Sequence, residues 1–379
     1  MEPVKVGVIG CGDIFNKQYA KCAAQYPILE IAACADLDMD KARHAAETHN
    51  IPRVCSVDEL LADPSIEVVL NLTIPAAHVP VGLQAVEAGK HVFSEKPFGI
   101  SVSEGQQLID AAAAKGLRLG CAPDTFLGTS HQTCRLLIDE GAIGTPVAAL
   151  ALFLSRGPEH WHPNPEFYYA PGGGPMFDMG PYYLTALTNL LGPMQRVTGM
   201  AGIQIPDRVV GKGAPDREGN KIDVKTPDHV AGHIAYTSGA IATIVTSFAT
   251  AGRTDDGRHP ITIFGTEGTL AVPDPNGFDG SILLQPRGEK EWQEIAPRHD
   301  HPNGRSLGLA EMCHAIRAER AHRASGELAF AVLAAMEGFL TSSERGAPVE
   351  INAPAERPEV LSVGLSDGVL EPAAAGERR

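Results

Sequence analysis

The chain has 379 residues, 44% of them hydrophobic and 20% charged. That length fits about two domains, and the composition excludes a disordered chain that cannot fill a core. A formal net charge of −15 excludes a partner gripped through a basic overall field, such as a nucleic-acid backbone or an anionic membrane, and favours a neutral substrate. The longest apolar run, Val147 to Leu154, is too short to span a bilayer. The N-terminus enters a strand-like run with no signal-peptide pattern. Seven scattered cysteines, an odd number with no CxxC pair, indicate reduced thiols and a cytoplasmic location.

In chain order, Val4–Gly10 reads as a strand, about 14–25 as a helix and Leu29–Ala35 as a strand. Ile66–Thr73 is a continuous, β-branched run of the kind a buried parallel strand needs. Residues 77–88 have helical spacing and stop at Gly89. His91–Ser94 and Leu117–Cys121 complete an alternation of strands and helices, which predicts a doubly wound parallel sheet over residues 1–123. After about Gly144 the character changes. Val147–Leu154 is a strand, a loop rich in Pro, His and aromatics follows, and about 177–191 is helical. Strands are expected at 228–235, 240–249, 261–265, 269–272 and 281–285, forming a mostly antiparallel sheet. Residues 207–227 read as a long loop, 306–345 return to helix, and 353–379 read as a mobile tail or peripheral arm. The second domain is therefore expected over 124–352.

Three segments carry chemistry. The first is Gly10-Cys11-Gly12-Asp13-Ile14-Phe15, directly after the first strand. Gly10 permits the tight turn and Gly12 lets a pyrophosphate approach the backbone. Asp36 ends the second strand 26 residues after Gly10 and can accept hydrogen bonds from an adenosine ribose. It would repel a 2′-phosphate, so NAD is preferred over NADP, although Lys41 and Arg43 farther on could soften this. Phe15 replaces the small third position of the fingerprint, which implies altered helix packing or a side chain against the cofactor. The second segment is Ser94-Glu95-Lys96-Pro97, at the carboxyl end of a strand, where α/β sheets bind ligands; Lys96 should face the cleft. The third is Gly172-Gly173-Gly174-Pro175-Met176-Phe177-Asp178-Met179-Gly180-Pro181-Tyr182, which sets Asp178 and Tyr182 four residues apart, on one face of a helix.

Taken together, GVIGCGDI, Asp36, TIPAAH at 73–78, SEKP at 94–97 and GGGPMFDMGPYY at 172–183 resemble the Gfo/Idh/MocA oxidoreductase family over about residues 4–345. The resemblance implies a Rossmann domain followed by an α/β domain on a large, open, mostly antiparallel sheet. It implies NAD(P)-dependent oxidation or reduction of a secondary hydroxyl on a sugar, polyol or glycoside. Most members end the third motif in His; Tyr182 stands there in this chain, as in the branch similar to glucose-fructose oxidoreductase and the dimeric dihydrodiol dehydrogenases. The acid/base role is carried to Tyr182, with Lys96 as electrostatic partner and Asp178 orienting. Lys96 itself stays open as the proton carrier. Cofactor contacts are implied at Asp13, Ile14, Phe15, Thr73, Pro75, His78, Glu95 and Lys96. A homodimer or homotetramer is implied through the open sheet. An NAD-retaining glycoside hydrolase and a non-catalytic sugar sensor of the same fold are the alternatives.

Asp124 and Thr125 follow a strand and either bind substrate or cap the next helix. Arg156, His160, Trp161, His162, Tyr168 and Tyr169 supply the aromatic faces and planar hydrogen-bonding groups that hold a sugar, or they only pack the loop. His160 and His162 have no third ligand at diagnostic spacing, so no metal site is expected.

Overall fold

The computed structural model describes residues 1–252, 257–353 and 355–371. Its N-terminal part is a five-stranded, all-parallel sheet of β1 (Val4–Ile9), β2 (Leu29–Ala35), β3 (Val68–Asn71), β4 (His91–Ser94) and β5 (Leu119–Cys121), in the order β2-β1-β3-β4-β5. Strands β1 and β3 are buried on both faces except at Lys5, which is why they read as mostly apolar runs without strict alternation. The helix Pro75–Glu87 starts with Pro at its first position, where no N–H is needed.

The second sheet has nine strands: β6 (Pro146–Leu154), β7 (Met194–Gly202), β10 (His229–Tyr236), β11 (Ile241–Ser247), β12 (Ile261–Gly265), β13 (Gly268–Val272), β14 (Ile282–Pro286), β15 (Gln293–Ile295) and β16 (Val349–Glu350). Its order is β15-β14-β13-β12-β6-β11-β10-β7-β16, and β6 with β11 is the parallel pair in an otherwise antiparallel arrangement. The helix Gly326–Arg345 packs on β7 and also meets the helix Val102–Ala114 beside the first sheet, so one apolar core runs through both parts. The helix Leu307–Arg317 packs against β5.

Three local expectations are corrected and one strand is added. The long loop at 207–227 contains a two-stranded ribbon, β8 (Asp207–Val209) with β9 (Lys221–Asp223), anchored by the buried Ile222. Strand β7 has no clear alternation, since Thr198, Gly199 and Gly202 blur it; pairing with β10 and packing under Gly326–Arg345 define it instead. The helical stretch 306–345 is two helices, interrupted at 318–325. The helix expected at 177–191 is also two, Gly174–Asp178 and Gly180–Leu191, broken at Met179. Residues 355–371 run as an arm with Leu361, Leu365 and Leu370 buried; Leu361 N–H donates to Gln132 at 2.6 Å. The remainder of the C-terminal stretch, 372–379, lies outside the described residues. No helix among the described residues is long and apolar enough to cross a membrane.

Candidate active site

The glycine turn is built as its sequence requires. Gly10 has φ +99°, and a Cβ there would sit 2.6 Å from the Leu72 carbonyl oxygen, so a side chain is excluded by both backbone and space. A Cβ at Gly12 would meet nothing within 4 Å, leaving the approach to the turn open. Asp36 Oδ2 accepts from Cys11 N–H at 2.7 Å and Oδ1 from Asp38 N–H at 2.9 Å, which fixes the carboxylate at the rim of this turn with lone pairs to spare. Lys41 and Arg43 lie exposed on the following helix, paired with Asp38 at 3.9 Å and Asp40 at 2.5 Å, so two further carboxylates accompany Asp36 on this side of the turn. These residues fit NAD.

Phe15 is a core residue, 1% exposed and edge-on to His49 at 5.7 Å. Its side chain packs in the core at the start of a π-helical turn, Phe15–Tyr19. Asp13 is exposed and paired with Lys17, and Ile14 is partly buried. Thr73 donates its hydroxyl to Asn71 Oδ1 at 2.7 Å. Pro75 is half-buried at the helix start. His78 is not a surface contact. It is 1% exposed, its ring nitrogens face the carbonyls of Pro97 (2.7 Å) and Thr73 (3.0 Å), and it braces the two loops that edge the cleft. Burial lowers its pKa, against the Pro97 and Thr73 carbonyls and Glu95, which favour the protonated ring.

Lys96 follows β4 and reaches across to the second part of the molecule. Its Nζ donates to Asp178 Oδ1 at 2.9 Å and to the Asp178 main-chain carbonyl at 2.7 Å. The helix break supplies that second acceptor. Pro181 has no N–H, and Tyr182 N–H turns to Met179 O (3.1 Å), so the Asp178 carbonyl is left free for lysine. Asp178 and Tyr182 thus do not share one continuous helix, yet both reach Lys96, whose Nζ lies 5.1 Å from the Tyr182 ring centre. Burial pulls the Lys96 pKa down, but Asp178 and Tyr182 push it up further; the net direction is upward and the group is a fixed ammonium. Burial dominates at Tyr182 and raises its pKa, against the lowering by Lys96 and Arg305. The expectation that Lys96 brings this phenol down is corrected: the lowering is present, and it loses to desolvation.

Beneath this group lies a second charged layer. Glu95 is 7% exposed; it accepts from the Tyr19 hydroxyl at 2.9 Å and from Lys96 N–H at 2.8 Å. Glu95 is therefore a support under Lys96, with its carboxylate turned inward. Arg305 Nη2 donates to the Tyr182 hydroxyl at 2.9 Å. Sequence reasoning missed Arg305; it sits in an Asn-Gly-Arg turn with no motif around it.

Asp124 is fully buried, and its Oδ2 accepts from Gly308 N–H at 2.9 Å, in the first turn of Leu307–Arg317. It caps that distant helix and makes no side-chain cap on the turn that follows it, so it is not placed to touch substrate. Burial raises its pKa to about 6, opposed by Arg305 and the Gly308 N–H. The folded protein therefore binds this proton more tightly than the unfolded chain. The protonated-side advantage is present below about pH 4 and is lost as pH rises through about 6. Asp124→Asn should remove this slope, read as Tm against pH between 4 and 7.

The 155–170 loop is divided. Tyr169, expected at the sugar, is fully buried in a small separate core with Val210, Ala214, Ile222 and Phe248. Its hydroxyl donates to Glu159, and Arg208 stacks over its ring at 4.8 Å. Arg208 joins Glu159 (2.6 Å) to Asp228 (2.8 Å), clamping the loop to the sheet. Its neighbour Tyr168 stacks on Phe167 and packs edge-on against His162 and Phe248, and its phenol, raised by burial, also feels the charges of Asp178 and Lys96. His162 packs edge-on between Trp161 and Tyr168 and feels Asp178 and Asp13. Arg156, His160 and Trp161 are exposed; Trp161 is 63% so. The triple glycine serves this loop, since a Cβ at Gly173 would sit 2.6 Å from the Tyr168 carbonyl oxygen.

Two family models match the chain: one described as an oxidoreductase family with an NAD-binding Rossmann fold, over residues 4–122, and the GFO/IDH/MocA C-terminal domain, over 131–271. The chain is 33% identical over 199 residues to dTDP-3,4-didehydro-2,6-dideoxy-alpha-D-glucose 3-reductase of Streptomyces violaceoruber, covering 52% of this chain and 57% of that one. It is 29% identical over 164 residues to trans-1,2-dihydrobenzene-1,2-diol dehydrogenase of Macaca fascicularis, covering 43% and 48%. The matches thus span about half the length of these two relatives. In fold it is similar to levoglucosan dehydrogenase solved with NADH and L-sorbose, with a TM-score of 0.78 at 20% identity over 93% of this chain and 100% of the other.

Proposed function

Because the chain belongs to the Gfo/Idh/MocA family of oxidoreductases, with an NAD-binding Rossmann fold at its N-terminus, we propose that it moves a hydride between NAD and a secondary hydroxyl of a sugar, polyol or glycoside. The observation that carries this reading is the meeting of Lys96, Asp178 and Tyr182 at the carboxyl end of β4. Bound at the glycine turn, the cofactor supplies or accepts the hydride. The chain's own residues manage the proton and the oxygen. Lys96, held as ammonium by two oxygens of Asp178, has one N–H left to polarise the substrate oxygen. Tyr182 is the proton carrier, because Lys96 is too firmly protonated to act as a base. His162, packed between Trp161 and Tyr168, and the exposed Trp161 are the loop groups offered to a sugar.

The resting state is a neutral phenol beside an ammonium, which is the protonation needed to reduce a carbonyl. Reduction should therefore run at neutral pH, and oxidation should speed up as pH rises towards the Tyr182 pKa. Asp36 makes NAD the preferred cofactor. Asp36→Ala removes a charge-assisted ribose contact worth about 1.5–3 kcal/mol, so NADH affinity should fall about 10- to 100-fold in a fluorescence titration, with NADPH changed far less. The exposed Val147, Leu150, Met200, Ile241 and Phe264 on the second sheet support homo-oligomer formation through that sheet. The cysteines, all unpaired, support a reducing cytoplasm.

The deciding experiment is an absorbance screen with NAD or NADH against monosaccharides, their keto forms, inositols, uronates and glycosides, in parallel with NADP. Turnover of NADH with one sugar class supports the reading. Sugar release without net NADH points to a hydrolase, and NAD binding without turnover points to a sensor.

A further inference from the structure

Arg305 lies on the segment leading into the helix Leu307–Arg317, next to Ser306 at φ +100°. Its side chain is 12% exposed. A guanidinium buried this far ordinarily takes a bidentate carboxylate. This one does not. Nη2 donates to the Tyr182 hydroxyl at 2.9 Å and to Asn276 Oδ1 at 3.3 Å. Nη1 is buried without a hydrogen-bond partner, 4.0 Å from Glu95 Oε1. The nearby carboxylates are held by other donors: Glu95 by Tyr19 and Lys96 N–H, Asp124 by Gly308 N–H. The strongest directed contact of this buried cation is therefore a phenol oxygen. The guanidinium carbon also lies 5.4 Å from the Tyr182 ring centre, while Lys96 lies 5.1 Å from it.

We propose that Arg305 is a positioning residue for proton transfer at Tyr182: by donating to the phenol oxygen it turns the O–H proton towards the cleft and sets a second positive charge against the phenolate. The inference rests on the hydride-transfer reading. In reduction the Tyr182 O–H bond breaks as the O–H bond of the product alcohol forms. The carbonyl carbon gains the hydride, and the phenolate later regains a proton from solvent. The groups facing Tyr182 are Lys96 and Glu95 from the loop after β4, Asp178 from the preceding helix, Tyr168 from the 155–170 loop and Arg305. The two cations favour the phenolate, and Glu95 and Asp178 oppose it.

Wild type, Arg305→Met and Arg305→Lys should be compared in two readouts. The first is the pH profile of kcat and KM in sugar reduction with NADH. The second, independent of turnover, is a fluorine-NMR titration with a fluorinated tyrosine at position 182. For Arg305→Met the expected result is a kcat about 10- to 100-fold lower with KM within about threefold, and an alkaline limb moved up by about one pH unit. The fluorotyrosine should titrate higher by the same amount, and Arg305→Lys should return both towards wild type. Coincident titrations in all three proteins would overturn the proposal, even if Arg305→Met is slow. A shifted titration in a protein that turns over no sugar would uphold Arg305 and refute the hydride-transfer reading. If Arg305→Met does not fold, Arg305→Gln makes the same neutral comparison.

Discussion

Tyr182→Phe should lower the hydride-transfer rate by about 10²- to 10⁴-fold, the usual worth of a positioned general acid. The substitution keeps the ring, which packs in the core at 5% exposure, so NADH affinity should stay close to wild type, while the melting temperature should fall by a few degrees because the buried Arg305 loses a partner. It removes one oxygen and leaves Arg305 Nη2 with Asn276 alone. Stopped-flow absorbance at the NADH band measures the step directly. The pH profile gives a second signature. Burial holds the phenol above its ordinary pKa, so the wild-type reduction rate should be flat through neutrality and fall only on the alkaline side. In Tyr182→Phe that alkaline fall should disappear with the rate. A variant with full turnover would assign the proton to another group.

Lys96→Ala should cost about 10²- to 10³-fold in the same step, the range for losing one donor to a developing oxyanion. Its cause differs from that of Tyr182→Phe. Removing the ammonium leaves the Asp178 carboxylate, 22% exposed, and its main-chain carbonyl without their lysine partner. A negative charge then stands where the substrate oxygen must become more negative. Some loss of stability should accompany the loss of rate, because breaking a largely buried pair costs more than the pair contributes. Thermal melts separate the two effects: the melting temperature should fall by a few degrees, while the rate falls by orders of magnitude. A rate loss below tenfold would contradict the electrostatic role of Lys96.

The glycine turn, Asp36 and the strand ends at Ser94 and Cys121 were legible because each is a local device. A turn needing φ > 0, an acid after a strand and an apolar run bounded by punctuation all announce themselves within a few residues. The Lys96–Asp178–Tyr182 group was legible only through the family resemblance, since its members are brought together by a fold and not by spacing. What stayed hidden depends on direction or distance. Tyr168 and Tyr169 are equivalent as sequence, yet one stacks on Phe167 beside His162 and the other is locked to Glu159 and Arg208. His78 looks like a helix-surface histidine until the loops at Thr73 and Pro97 close on it. Asp124 caps a helix that begins 183 residues later, at Leu307. Arg305 reaches Tyr182 across 123 residues from a turn with no signature of its own.

The central claim is that an ammonium from one part of the chain and a phenol from another meet beside the reactive face of the cofactor. A crystal structure of the NADH complex tests it most directly. The account predicts the nicotinamide ring beside Lys96 Nζ and the Tyr182 hydroxyl, with space for one sugar carbon between ring and phenol. A nicotinamide bound away from both side chains, or one whose open face is filled by protein, would contradict it.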